Sequence, residues 1–354
     1  MRMKERARRV WRNKPLINGV KIVLAVVLLA VVIWQVDWRD VRARLVALQW
    51  WWFVVAVALQ WVVIAIGNHR LQILLRALQV RLGYWRTLKY NCIGYFFNLA
   101  FPGGTGGDVV KVFYVAREAP GRGAVVVTAI LLDRVMGLLA VVLIAAVALI
   151  LTLKTSPAFR QFLPLTCGLL GAAVAGVALL MTKNYWKRYS WWAVVDRYTP
   201  RLIRQMVRAL YEYRSHKAVA LLALVESVAL QLIMCVIAWC FGRALSLQMA
   251  WHLYFVIFPV VTLVLTIPVT PSGLGVTEGA AAWCFKQVLG SGGGAAGIAF
   301  MLLLRLTMLT MALAGFGCWV VPGTRVAAKE LVEKTEEWGE RSGLDMDNGG
   351  EQRG

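Results

Sequence analysis

Two carboxylate and arginine pairs, repeated at nearly the same spacing, are the groups in this 354-residue chain best equipped for chemistry. Asp108 closes the run Asn98-Leu-Ala-Phe-Pro-Gly-Gly-Thr-Gly-Gly-Asp108 and is followed by Lys111. Glu278 closes a rougher copy, Pro268-Val-Thr-Pro-Ser-Gly-Leu-Gly-Val-Thr-Glu278. Arg134 follows Asp108 by 26 positions and Arg305 follows Glu278 by 27, each inside a long apolar stretch. A guanidinium is a planar fork of donors matched to phosphate or carboxylate oxygens. A helix that resumes after a break aims unpaired N–H groups at the break, which suits an anion. The chemistry this implies is the gripping of an anionic group. The candidate binding residues are Asn98, Gly103, Gly104, Thr105, Gly106, Gly107, Asp108, Lys111 and Arg134 in the first copy. In the second they are Ser272, Gly273, Gly275, Thr277, Glu278 and Arg305. The glycines admit a head group close to the backbone, and Thr105, Ser272 or Thr277 can donate or cap. The two carboxylates would orient the arginines, or repel a phosphate once they ionise. Asp108 and Lys111, three apart, form a local pair on one helical face. Asp133 and Arg134 diverge around a helix, so each needs its own partner.

The elements that must hold these groups are membrane helices. The chain is 60% hydrophobic, and several apolar runs are long enough for a hydrocarbon core of roughly 30 Å. Hydropathy predicts spans at 19 to 36, 51 to 68, 122 to 153, 161 to 181, 218 to 241 and 294 to 321. Two further apolar stretches, 84 to 117 and 250 to 290, break midway at the motifs. Broken backbone at membrane depth is tolerated only where protein buries it or a watery cavity is lined by it. In transporters, interrupted segments at matching places of two halves mark the substrate site. The expected fold is an all-α integral-membrane bundle with two re-entrant hairpins in an inverted repeat, its half-repeats spanning about 84–153 and 250–321. A basic start at 1–18 and a polar tail at 323–354 flank the membrane domain at 19–322.

Lys and Arg outnumber Asp and Glu by 39 to 18, for a net charge of +21. The basic residues flank apolar helices instead of forming a soluble domain, which argues against nucleic acid and for an anionic membrane surface. Basic segments at the amino terminus, between Arg70 and Lys89, and at 183 to 217 place these on the cytoplasmic side of a bacterial inner membrane, with both termini inside. The first hairpin then enters from the cytoplasm and the second from outside. A fully crossing 250 to 267 segment is the alternative, and it would put the carboxyl terminus outside. Residues 184 to 217 read as an interfacial amphipathic helix, and Trp34, Trp38, Trp50, Trp51, Trp52, Trp186, Trp191 and Trp192 as an aromatic belt. The first helix reads as an uncleaved anchor, since Gln35-Val-Asp-Trp offers no small-residue cleavage site. The six cysteines read as buried small hydrophobes and the three histidines as scattered interfacial residues, so neither metal nor cofactor is expected.

Four acids, Asp108, Asp133, Glu226 and Glu278, fall at membrane depth. A charge at a helix centre costs about 2.5 to 3.5 kcal/mol even on lenient scales, so such groups pair or line a hydrated path. They are the proton-coupling candidates, with Lys111, Arg134 and Arg305 as available partners. The first motif lacks the Gly-Lys-Ser/Thr end of a phosphate-binding loop, and no zinc-protease helix or nucleophile elbow is present.

Together, Asn98, Pro102-Gly-Gly-Thr-Gly-Gly-Asp108, Asp133-Arg134-Val-Met-Gly-Leu-Leu and the Pro268 to Gly279 segment resemble the transmembrane region of the lysylphosphatidylglycerol synthase and flippase family over nearly all of residues 15 to 322. The resemblance implies a lipid-translocating fold. Bifunctional members continue into a soluble aminoacyl-transferase domain, where this sequence has a short polar tail, so it implies flipping without lysyl transfer. The leading expectation is a transporter of an anionic, phosphate-bearing lipid or lipid-linked sugar. A membrane-embedded lipid-modifying transferase, with Asp108 or Glu278 as base, and a non-catalytic partner of a lipid-biosynthesis enzyme are the alternatives.

Overall fold

The structure, a computed structural model, describes residues 38–100, 106–152, 157–181, 216–266, 270 and 273–320. The first expected span, the amphipathic stretch up to residue 215 and the polar tail lie outside these residues. Every regular element among them is helical. In chain order they are α1 (Trp38–Val46), α2 (Trp50–Ala77), α3 (Tyr84–Ala100), α4 (Gly106–Glu118) and α5 (Gly123–Leu151). A 3-10 turn (Pro157–Phe162) leads to α6 (Leu163–Met181). Then follow α7 (Lys217–Ala244), α8 (Trp251–Thr266), α9 (Val276–Leu289) and α10 (Gly293–Val320).

Helices α2, α5, α7 and α10 are each long and apolar enough to cross a membrane. One expectation needs correction here. The second span does not stop near residue 68 but continues to Ala77, so Arg70 and Arg76 belong to a helix and not to a loop. Leu71, Leu74, Leu75 and Leu78 are buried at helical spacing along this extension, and Arg70 itself is buried. Polar side chains pin the extension in place. Asn68 Nδ2 donates to the Tyr84 carbonyl at 3.1 Å and Gln72 Nε2 to that of Leu82 at 2.8 Å. Asn91 on α3 donates to Asn68 Oδ1 at 2.8 Å.

The two interrupted stretches are both antiparallel helical hairpins. In the first, Glu118 at the end of α4 accepts from Arg86 Nη1 at 3.1 Å and Tyr90 OH at 2.6 Å, both in the opening turns of α3. At the other end the Gly107 N–H donates to Asn98 Oδ1 at 2.9 Å. The helices touch so closely that a Cβ on Gly107 would lie 2.0 Å from the Gly94 carbonyl oxygen. Only glycine permits that approach, and close backbone contact of this kind drives helix association where lipid removes the hydrophobic incentive. In the second hairpin the base is closed by Tyr254 of α8 against Phe285 of α9, with ring centroids 6.4 Å apart.

The hairpin bases sit at opposite ends of α2. Arg122, after α4, donates to the carbonyls of Leu78 and Gln79 at the Ala77 end. The connection from α7 into α8 instead meets the Trp50 end, where the Gln49 N–H donates to the Ala244 carbonyl at 2.9 Å and Gln49 Nε2 to Ser246 Oγ at 3.1 Å. Two apolar cores follow this division. One gathers Phe53, Phe241, Tyr254, Phe285 and Phe300, and the other Leu74, Ile93, Tyr114, Val126 and Ile130. Four cysteines, Cys92, Cys235, Cys240 and Cys284, are buried as expected, whereas Cys167 is exposed and Cys318 intermediate.

Candidate functional site

Asp108 and Glu278 occupy the same place in their half-helices, the third residue of α4 and of α9. A carboxylate there is favoured by the positive end of the helix dipole. Each takes the arginine of the following long helix as its partner. Arg134 Nη2 lies 2.6 Å from Asp108 Oδ2, and Arg305 Nε donates to Glu278 Oε1 at 2.6 Å.

Beyond that likeness the two breaks differ. Glu278 is long enough to fold back, and its Oε2 accepts the Gly275 N–H at 2.8 Å, the returning half of a capping box. Thr277 Oγ1 lies 3.1 Å from the same Oε2 and donates to the Gly273 carbonyl at 2.9 Å. Gly273 and Gly275, at φ +68° and +81°, provide the left-handed backbone this knot requires. Of the two roles open to Thr277, donating or capping, it donates, while Glu278 caps the helix. Both Glu278 oxygens are satisfied, and the carboxylate is 8% exposed.

At the first break the described contacts differ. Asp108 is one methylene shorter than Glu278, and the neighbouring Gly107 N–H donates to Asn98 Oδ1. Its Oδ1 is buried without a hydrogen-bond partner among the described residues. Lys111 Nζ stands 3.8 Å from that oxygen and lies over the Tyr95 ring, 5.1 Å from the centroid. Arg134 gives one Nη to Asp108, yet its side chain remains 53% exposed. It emerges on a face of α5 shared with exposed Leu131, Val135 and Leu138.

Asp133 turns away from Arg134, as the sequence requires, but its partner was missed there. Arg70 Nε donates to Asp133 Oδ1 at 2.7 Å and Arg70 Nη1 to Ser227 Oγ at 2.7 Å. The guanidinium lies beside Gly137, one turn beyond Asp133, its Nη1 3.8 Å from where a Cβ would stand, an ordinary contact distance. Glu226 also finds a partner outside the expected set: His69 Nδ1, at 2.6 Å. The Leu71, Leu74, Leu75 and Leu78 periodicity was the available signal that residues 69 and 70 are helical and face neighbours.

The structure thus joins Asn98, Gly107, Asp108, Lys111 and Arg134 at one break, and Gly273, Gly275, Thr277, Glu278 and Arg305 at the other. Among the described residues no hydrogen bond or ion pair links the two groups. Gly103, Gly104, Thr105 and Ser272 lie outside the described residues, and Gly106 opens α4.

The chain has no match among curated proteins or solved structures. Residues 19–315 match the family described as Lysylphosphatidylglycerol synthase TM region, and the chain belongs to that family.

Proposed function

We propose that this protein translocates an anionic, phosphate-bearing lipid or lipid-linked sugar between membrane leaflets, acting as a transporter and not as an enzyme. Membership of a lipid-synthase membrane family supports a lipid-related role. The finer reading rests on one observation: at the first break, Arg134 and Lys111 face a single carboxylate, and half of the Arg134 side chain emerges among exposed Leu131, Val135 and Leu138. A guanidinium on an apolar membrane face is costly unless an anion or water meets it. A phosphate there, with its chains lying along the apolar face of α5, satisfies both halves of that surface.

In this reading the hairpins are re-entrant and inverted, entering from opposite faces. Their bases at opposite ends of α2 support that arrangement. Arg76, Arg81, Arg86, Lys89, Arg117 and Arg122 cluster towards the Ala77 end, which makes that end cytoplasmic by the positive-inside rule. The Glu278 and Arg305 knot then serves as the rigid counterpart, and Arg134, Lys111 and Asp108 as the grip.

The test is reconstitution in vesicles with labelled phosphatidylglycerol and, separately, a labelled polyprenyl phosphate. A transporter moves label between leaflets at constant mass. A transferase changes the mass of the lipid, and that result would overturn the proposal, as would no leaflet exchange with either lipid.

A further inference from the structure

Three helices each place two consecutive residues into neighbouring rungs of one polar ladder. His69 and Arg70 lie on α2, Glu226 and Ser227 on α7, Asp133 and Arg134 on α5. The first rung is His69 with Glu226 at 2.6 Å. The second is Arg70 with Ser227 and Asp133. The third is Arg134 with Asp108, beside Lys111. We propose that His69 and Glu226 form a proton-binding pair that sets the charge at the outer rung and so links lipid release at the first break to pH. The inference rests on the translocation reading for its consequence, though not for the pair itself.

The pair has the features of an exchangeable proton site. The His69 side chain is 48% exposed and that of Glu226 14%, so the imidazole offers a route for a proton to a largely buried carboxyl. Glu226 Oε2 is buried and has no hydrogen-bond partner among the described residues. At 2.6 Å the imidazole nitrogen and the carboxyl oxygen are close enough to hold one proton between them. The charged groups around the pair are few. Arg70 stands beside His69 on α2, Asp133 and Arg134 lie on α5, and Asp108 and Lys111 follow on α4, with the Tyr95 phenol on α3. On α7 the other charged residues, Lys217 and Arg243, lie near the helix ends, α8 brings His252 and Tyr254 near its base, and α10, which packs against α2 and α7, carries Arg305, paired with Glu278.

The coupling follows from competition for Arg70. With the proton held, Glu226 is neutral and Arg70 stays with Asp133 and Ser227. When the proton leaves through His69 to water, Glu226 becomes a second anion next to Ser227 and attracts Arg70. Asp133 is then less well compensated, and its negative charge, felt through space at the neighbouring Arg134, opposes a phosphate held there. Higher pH therefore favours release and lower pH favours retention.

Two measurements test this. Difference infrared spectroscopy of the wild-type protein in vesicles, scanned between about pH 5 and 8, where histidines in general change charge, should show a protonated carboxyl band lost at high pH. The band should be absent in Glu226→Gln and shifted in its titration in His69→Gln. Phosphatidylglycerol retention over the same range should fall with pH in wild type and become flat in both variants. If either variant fails to insert, Glu226→Asp and His69→Asn replace it. An unchanged carboxyl titration in the variants overturns the pair, whether or not lipid moves. A normal pair with pH-independent retention overturns the coupling alone. Absence of any lipid movement in wild type would sink the translocation reading and leave the infrared result to decide the pair.

Discussion

Arg134 reaches Asp108 across the first break at 2.6 Å while more than half of its side chain stays exposed. Arg305 and Glu278, at the equivalent positions, are closed in by Gly275 and Thr277. A carboxylate and an arginine at matching places are thus, among the described residues, an exposed pair in one half of the protein and an enclosed strut in the other. The second pair is held by the extra reach of the glutamate, whose Oε2 folds back to accept the Gly275 N–H.

Unequal breaks predict unequal arginines. Arg134→Lys should insert and keep its thermal stability but lose lipid binding about tenfold or more, because a point charge replaces a bidentate fork. Arg305→Lys should chiefly lower the melting temperature. Equal effects on binding in purified protein would show that both arginines grip the ligand.

The carboxylates separate in the same way. Glu278→Gln leaves Arg305 uncompensated, and breaking a buried pair commonly costs ~3 to 5 kcal/mol, so expression and melting temperature should fall. Asp108→Asn should remain folded, bind labelled lipid and release it slowly, since the amide cannot ionise to repel a phosphate. A normal exchange rate for Asp108→Asn over a broad pH range would remove the repulsion step.

A double-mutant cycle on Arg70 and Asp133 should give a coupling of about 1 to 3 kcal/mol in stability, as for directly contacting charged residues. Arg70→Gln strands the Asp133 carboxylate, and Asp133→Asn removes the charge partner of Arg70 while leaving its bond to Ser227. Additive losses would show that the 2.7 Å contact contributes nothing to the helix packing.

Single cysteines at Ala119 and Ser291, introduced without the native cysteines, report the hairpin bases. Ala119 should react with an impermeant reagent from the cytoplasmic side and Ser291 from outside. Labelling of both from one side would exclude the inverted arrangement.

Gly107→Ala probes the floor of the first hairpin. Its Cβ would stand 2.0 Å from the Gly94 carbonyl oxygen and within 2.7 Å of the Asn98 carboxamide, so α3 and α4 must separate. The expected result is loss of folded protein. Near-normal yield and stability would mean that the hairpin is less tightly closed than these contacts require.

The sequence alone determined the class of protein and the two matched acid and arginine pairs. Apolar runs of spanning length and carboxylate and arginine pairs at 26 and 27 residues are local or periodic signals, and they survive in the structure as long helices and two ion pairs. Tertiary structure decided which charges meet. Arg70 and His69 looked like loop and interface residues because hydropathy falls where a helix carries charge, and hydropathy cannot register that Asp133, Ser227 and Glu226 arrive from 63 to 157 residues away to compensate it. Nor could composition show that Glu278 folds back to cap its own helix. That depends on whether an oxygen within one side-chain length reaches an orphaned N–H, which is settled only once the backbone has been placed.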